Sequence, residues 1–191
     1  MLIAFHKPFG IHSQFTRERP DARTLADFSF PPRVYPIGRL DADSEGLLLL
    51  SNEPAWNALL LNPARGHVRR YWVQVERIPS AAALRELAAG LVVQGRKTLP
   101  SRAWLLDPPP VLPARDPPIR FRKSVPDSWI AIELVEGKNR QVRRMTAAIG
   151  HPTLRLIRVQ IGALALGKLS SGQWRVLNTS ERLLARRPRA K

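Results

Sequence analysis

The sequence predicts an α+β fold built on a mixed, mostly antiparallel sheet flanked by a few helices. Three observations lead there. Arg69 to Glu76 and Trp129 to Glu136 alternate apolar and polar residues, the period of a half-buried strand. Gly46 heads the unbroken apolar run Leu47-Leu48-Leu49-Leu50, which reads as a strand buried on both faces. Long strands of this kind are joined by few segments with helical spacing, which argues against a repeated β-α-β pattern.

Taken in order, Met1 to Phe5 reads as a short strand ended by the turn signal Lys7-Pro8-Phe9-Gly10. Ser13 to Arg23 is polar and loop-like, with Arg17, Arg19 and Arg23 as possible phosphate contacts, and Thr24 to Phe28 fits a short helix. After the Leu47–Leu50 strand, Ser51-Asn52-Glu53-Pro54 gives a helix start with proline in the first turn, and Asn62-Pro63 a stop. Tyr71, Val73 and Val75 share one face of the strand from Arg69 to Glu76. Ser80 caps a helix from Ala81 to Ala89 that Gly90 closes. Leu91 to Leu106 holds one or two strands about a turn at Gln94-Gly95. The proline-rich run from Asp107 to Pro118 is an irregular connection. Ile130, Ile132 and Leu134 share a strand face. Gly137-Lys138-Asn139 then turns into a helix carrying Val142, Met145 and Ile149, stopped by Gly150 and Pro152. Leu154 to Ile161 and Gly172 to Asn178 close the sheet.

Composition narrows the function classes. The 191 residues carry 31 Lys and Arg against 15 Asp and Glu, a net charge of +16, which calls for a polyanionic partner, nucleic acid first. No apolar run reaches the length of a membrane helix, and Met1 to Gly10 is too short and polar for a signal peptide. Cysteine is absent, so thiolate metal sites and disulfides are excluded and a cytoplasmic setting is expected. The four histidines have no metal-ligand spacing, and neither GxGxxG nor GxxxxGK[ST] occurs. No metal and no cofactor is expected.

Chemistry concentrates in two stretches. The first is Gly38-Arg39-Leu40-Asp41-Ala42-Asp43-Ser44-Glu45-Gly46, an acidic turn leading into the buried strand. A calcium loop would need a bidentate Glu at its twelfth position, where Asn52 stands. A solvated acidic turn is the plain alternative. The third reading is a reactive carboxylate with a cation that keeps it ionised. The second stretch is Glu136-Gly137-Lys138-Asn139-Arg140-Gln141-Val142-Arg143-Arg144-Met145, with four basic residues at the front of one helix. Arg140, Arg143 and Arg144 at i, i+3 and i+4 crowd one side, and cations at a helix N-terminus oppose its dipole. Such a broken local rule suggests an anionic partner, although a solvated basic face is common.

Gly-Arg-Leu-Asp followed by Asp-Ser-Glu-Gly-Leu-Leu-Leu-Leu-Ser-Asn resembles the catalytic motif of bacterial ribosomal-RNA pseudouridine synthases of the RsuA/RluE type. The strand at Tyr71 and the Glu136–Met145 block resemble two further motifs of that family. The resemblance runs to about Leu177 and is greatest with the short members that lack an N-terminal RNA-binding module. It implies a pseudouridine synthase domain over residues 1–178, with two lobes around a basic cleft, and a short basic tail over 179–191, of which Arg186 to Lys191 would be disordered alone. It implies isomerisation of a uridine in 23S rRNA after base flipping. Asp41 would be the catalytic carboxylate, Arg143 its ion-pair partner, and Tyr71 the platform and proton-transfer aid at the base. Arg39 would fill the gap left by the flipped base, and Lys138, Asn139, Arg140 and Arg144 would take RNA. A structural pairing of Arg39 with Asp43 or Glu45 stays open. The expected protein is a monomer with an RNA partner and no membrane. The competing functions are a non-catalytic RNA-binding or ribosome-assembly protein, a synthase acting on tRNA, and a glycosidase using a carboxylate pair.

Overall fold

The computed structural model describes residues 1–119 and 124–187. Its elements run β1 (Leu2–Lys7), β2 (Tyr35–Pro36), β3 (Glu45–Ser51), α1 (Ala55–Leu61), β4 (Arg69–Glu76), α2 (Ala81–Ala89), β5 (Val92–Val93), β6 (Arg96–Lys97), β7 (Arg102–Leu105), β8 (Asp127–Leu134), α3 (Gln141–Ala148), β9 (Thr153–Ile161), β10 (Leu164–Ala165), β11 (Trp174–Val176) and α4 (Thr179–Arg186). The chain divides into two compact units, Met1–Arg69 with Ile157–Lys191, and Arg70–Leu156. Among the described residues, no helix is long and apolar enough to cross a membrane.

In the first unit β1 lies between β11 and β3, antiparallel to both. β3 runs parallel to β9 through Glu45↔Ile157 and Gly46↔Arg158, so the sheet is mixed. Every residue of β3 is buried. Its leucines earn that by packing on two faces: Leu47 and Leu49 join Leu2, Ala4, Trp56, Leu60, Ile161 and Ala185 in one core cluster. Removing such side chains from water is the main driving force for this unit. α1 begins one residue later than the sequence suggests. Pro54 occupies the N-cap without a side-chain hydrogen bond, while the Ser51 hydroxyl is taken up elsewhere, accepting from the Glu53 N–H at 3.0 Å and donating to the Met1 carbonyl at 2.6 Å.

α4 is absent from the sequence reading, which leaves residues 179–191 as a basic tail. The structure makes Thr179–Arg186 a helix. Its start is a reciprocal capping box: Asn178 Oδ1 accepts from the Glu181 N–H and Glu181 Oε2 accepts from the Asn178 N–H, both at 3.0 Å. Residues 188–191 of the expected tail lie outside the described residues.

In the second unit β8 lies between β4 and β7, and β7 pairs with it antiparallel from Arg102↔Glu133 to Leu105↔Ile130. β8 is buried on both faces from Ile130 to Leu134 rather than on one. Glu133 is the reason a polar residue can be buried there: its Oε1 accepts from Arg70 Nε at 2.8 Å and Nη2 at 2.5 Å, and Arg102 pairs with it at 3.5 Å. Both guanidinium groups lie over the Trp104 ring, at 5.6 and 5.7 Å. The stretch Leu91 to Leu106 forms three short strands, one more than expected. β5 and β6 are a hairpin turned by Gln94 (φ 51) and Gly95 (φ 72), two successive positive φ values of the kind tight hairpins require. α2 matches expectation, with Ser80 Oγ accepting from Ala83 N–H at 3.2 Å.

Candidate active site

The acidic turn of the first unit is built on β3. Ser44 N–H donates to the Asp41 carbonyl at 3.0 Å, closing a four-residue turn. The residue before Asp41 is fixed from both sides by one hydroxyl: Ser13 Oγ donates to the Leu40 carbonyl at 2.7 Å and accepts from the Leu40 N–H at 3.0 Å. Gly10 N–H donates to the Ala42 carbonyl at 2.7 Å. Gly46 follows with φ +103, and a Cβ there would lie 2.3 Å from the Arg158 carbonyl oxygen. Only glycine lets β3 approach β9 this closely. A reactive group on such a support keeps its geometry.

The segment leading into this turn alternates. Arg39 is exposed, Leu40 buried at 6% exposure, and Asp41 partly buried. Arg39 and Asp41 thus stand on the solvent side together, as an extended segment requires. Arg39 makes no ion pair with Asp43 or Glu45 among the described residues, so its structural reading does not hold.

Beneath the turn lies a residue that sequence reasoning passed over as part of a turn signal. Lys7 is 0% exposed. Its Nζ donates to the carbonyls of Ile11 at 2.8 Å, Pro8 at 2.9 Å and Ala42 at 3.3 Å. Three acceptors match the three N–H bonds of an ammonium. Burial nevertheless pushes its pKa down from 10.5 to about 7, against the upward pull of Glu45, Asp43 and Asp41 and with a further push from Arg158. Arg158 is also buried, at 4% exposure; its Nε donates to the Leu47 carbonyl at 2.7 Å. The acidic turn therefore sits on two buried basic side chains. The signal for Lys7 was available: in β1 it shares the face of Ile3 and Phe5, which is a core face.

The loop before Arg39 is closed at its base. His12 N–H donates to the Arg23 carbonyl and Leu25 N–H to the Gln14 carbonyl, both at 2.9 Å. The exposed residues from Thr16 to Asp21 form its tip, and Arg17 there pairs with Asp27.

The second unit holds the other predicted residues. Tyr71 lies on β4, on the same face as Val73 and Val75, and is 7% exposed. α3 begins at Gln141, with Arg140 at its N-cap in the left-handed region (φ 50). The expected i, i+3, i+4 row of arginines on one helix is therefore corrected: Arg143 and Arg144 occupy the first turn, and Lys138, Asn139 and Arg140 form the exposed turn before it. Arg144 donates to Asn139 Oδ1 at 2.8 Å and also bonds Gln94 Oε1. Arg143 is partly buried and its Nη1 lies 3.5 Å from the Thr153 carbonyl.

Glu136, not singled out from sequence, organises this turn. It is 5% exposed. Its Oε1 accepts from Gln141 Nε2 at 2.6 Å and from the Leu99 N–H at 2.8 Å, and Lys138 Nζ is 3.3 Å from Oε2. Burial raises its pKa, but the Leu99 N–H, Gln141 and Lys138 together outweigh that and hold it below the usual carboxylate value. Gln141 Oε1 in turn accepts from the Lys138 N–H at 2.9 Å. The result is a rigid turn that presents Lys138, Asn139 and Arg140 outward.

Residues 1–148 match the sequence profile described as RNA pseudouridylate synthase. A protein of Xanthomonas campestris pv. campestris named ribosomal large subunit pseudouridine synthase E is 50% identical over 177 residues, spanning 92% of this chain and 95% of that one. One of the same name from Vibrio parahaemolyticus is 45% identical over 174 residues, spanning 91% of this chain and 72% of that one. Among solved structures, a crystal structure of a pseudouridylate synthase superposes with a TM-score of 0.79 at 25% identity, covering 96% of this chain and 73% of that one. The mixed-sheet α+β fold expected from the sequence is the fold these elements make.

Proposed function

Because the chain belongs to the RNA pseudouridylate synthase family, we propose that it converts one uridine of large-subunit (23S) ribosomal RNA to pseudouridine, with Asp41 as the catalytic carboxylate. The observation that carries the substrate class is the 50% identity, over 92% of this chain, to a relative named for the ribosomal large subunit. A substrate in ribosomal RNA sets the working compartment as the cytoplasm.

The reaction breaks the N1–C1′ glycosidic bond, turns the base and forms a C5–C1′ bond. C5 loses a proton and N1 gains one, so the product is an isomer of the substrate. Asp41 suits the nucleophilic or basic role because it is partly exposed on a backbone clamped by Ser13 and Gly10. A positively charged partner keeps such a carboxylate ionised out of water; Arg143 is assigned that role on the family motif. Tyr71 is assigned to the base, where its ring offers a stacking face and its hydroxyl can assist removal of the C5 proton. Arg39, exposed beside Asp41 on the same side of the chain, is assigned to the space a flipped base vacates, a step that costs a few kcal/mol. Lys138, Asn139, Arg140 and Arg144 are assigned to the RNA backbone.

The test is pseudouridine mapping of ribosomal RNA from cells lacking the gene, complemented with the wild type or with Asp41→Asn. Loss of one 23S site, restored only by the wild type, is the expected result. Restoration by Asp41→Asn would remove Asp41 from the chemistry. An unchanged rRNA map would move the substrate to tRNA or leave a binding protein.

A further inference from the structure

The first unit carries a second basic feature that the chemistry above does not use. A recess of about 380 Å³ is lined by Glu53, Trp56, Arg65, Arg182 and Arg186, together with apolar side chains of α1. α4 sets its geometry. Ala185 is fully buried and Leu184 packs on the same core, which holds the helix in place and turns Arg182 and Arg186, at i and i+4, toward one ring. Their guanidinium carbons lie 5.5 and 5.9 Å from the Trp56 ring.

The charges in this recess do not cancel. Glu53 is its one acid among the described lining residues, and it is already saturated. It accepts from the N-terminal ammonium, from Arg182 Nη2 at 2.9 and 2.7 Å, and from Trp56 Nε1 at 3.2 Å. The hydrogen bond from the N-terminus and, with it, Arg182 hold its pKa down to about 2, against a smaller opposing push from burial. Neither Arg65 nor Arg186 has an ion pair among the described residues. Arg186 is not spent on the helix end either. The last carbonyls of α4 are met by other groups: Leu184 O by the Ala163 N–H at 2.9 Å, and Arg186 O by His67 Nε2 at 2.8 Å. Two arginines crowded at i and i+4 on a rigid helix repel each other unless an anion joins them.

The geometry points to this recess as a second RNA-backbone site, in which Arg65 and Arg186 take phosphates of the same RNA whose uridine is modified. The inference rests on the reading of the chain as an RNA enzyme. β3 links the two places: the acidic turn enters it at Glu45, and the recess begins just beyond its other end at Ser51. Seven strand residues span about 20 Å, so a phosphate held here belongs to a nucleotide well removed from the reacting one. Planar, weakly hydrated guanidinium groups suit paired phosphate oxygens better than ammonium groups do. Such a contact positions RNA without reading its sequence. Its effect is to require a substrate large enough to reach both places.

The test is salt-dependent binding of in vitro transcribed 23S rRNA and of a short stem-loop, in an Asp41→Asn background so that no turnover is involved. For Arg65→Ala/Arg186→Ala the slope of log K against log salt on 23S rRNA should become shallower by about 1.5, with binding about tenfold weaker near physiological salt. Arg65→Lys/Arg186→Lys should restore most of the slope, because it returns the charge. The stem-loop should not distinguish the variants. Unfolding midpoints report whether the fold is intact, and both side chains are exposed. An unchanged slope on 23S rRNA would overturn the proposal, as would arginine-dependent binding of a poly-glutamate peptide in its place. A changed slope here, with a wild-type protein that forms no pseudouridine in the mapping test, would keep the recess and remove the chemistry; an unchanged slope here, with a wild type that does form it, would do the reverse.

Discussion

Lys7→Met isolates the buried cation beneath the acidic turn. Methionine keeps the length of the side chain and removes its titration. In the folded protein burial pushes the Lys7 pKa to about 7, against 10.5 in an exposed chain. Below pH 7 the group is protonated in both states and its burial opposes folding. Between the two values the unfolded chain holds a proton that the folded chain has released, so stability rises with pH by about 1.4 kcal/mol per unit. Above the unfolded value the slope vanishes. From about pH 7.5 to about pH 9.5 the wild type should therefore gain about 2.5 kcal/mol relative to Lys7→Met, allowing for incomplete deprotonation at the lower end. Urea unfolding of both proteins at three pH values in that window measures it. The N-terminus and the tyrosines titrate in both proteins and drop out of the difference. The three carbonyls left without a donor add a constant offset that does not change with pH. Parallel stability profiles would refute the reasoning, and would mean that the carbonyl acceptors and the three acids hold Lys7 charged throughout.

Other substitutions address the remaining supports. Gly46→Ala places a methyl 2.3 Å from the Arg158 carbonyl oxygen at a φ of +103; it should cost on the order of 3 kcal/mol by chemical denaturation. Glu133→Gln leaves Arg70 and Arg102 without their buried carboxylate and should cost about 2–3 kcal/mol, less than a fully buried pair because both arginines reach solvent. Arg143→Lys should lower single-turnover rate by at least tenfold with RNA affinity changed little, since lysine lacks the planar fork; an unchanged rate would remove the assigned pairing with Asp41.

Regular elements were legible where one local signal was strong. The alternation from Arg69 to Glu76 marks β4 to the residue, and Ser80 with Gly90 brackets α2, because period and caps act locally. α4 was hidden by its charge: the basic residues near the C-terminus outweighed an Asn178-to-Glu181 box that was present in the sequence. The start of α3 was misplaced because Arg140 adopts a left-handed conformation, rare for a residue with a Cβ. The motif residues themselves were visible by resemblance. Their supports were not. Lys7, Ser13, Glu136 and Arg158 act through pairings across 35, 27, 37 and 111 positions respectively, and no spacing rule spans such separations.

The closed base of the loop before Arg39 has a consequence for how this protein can change. Two backbone bonds, His12 to Arg23 and Gln14 to Leu25, seal the loop below its exposed tip, and Ser13 grips Leu40 independently. Residues added between Thr16 and Asp21 enlarge a ring whose gate is already shut. Doubling the length of such a loop costs only about 0.6 kcal/mol of closure entropy. The tip is thus a graft point, where a dye, an affinity tag or a longer RNA-contacting arm can be inserted while the Asp41 carboxylate farther along the chain keeps its place.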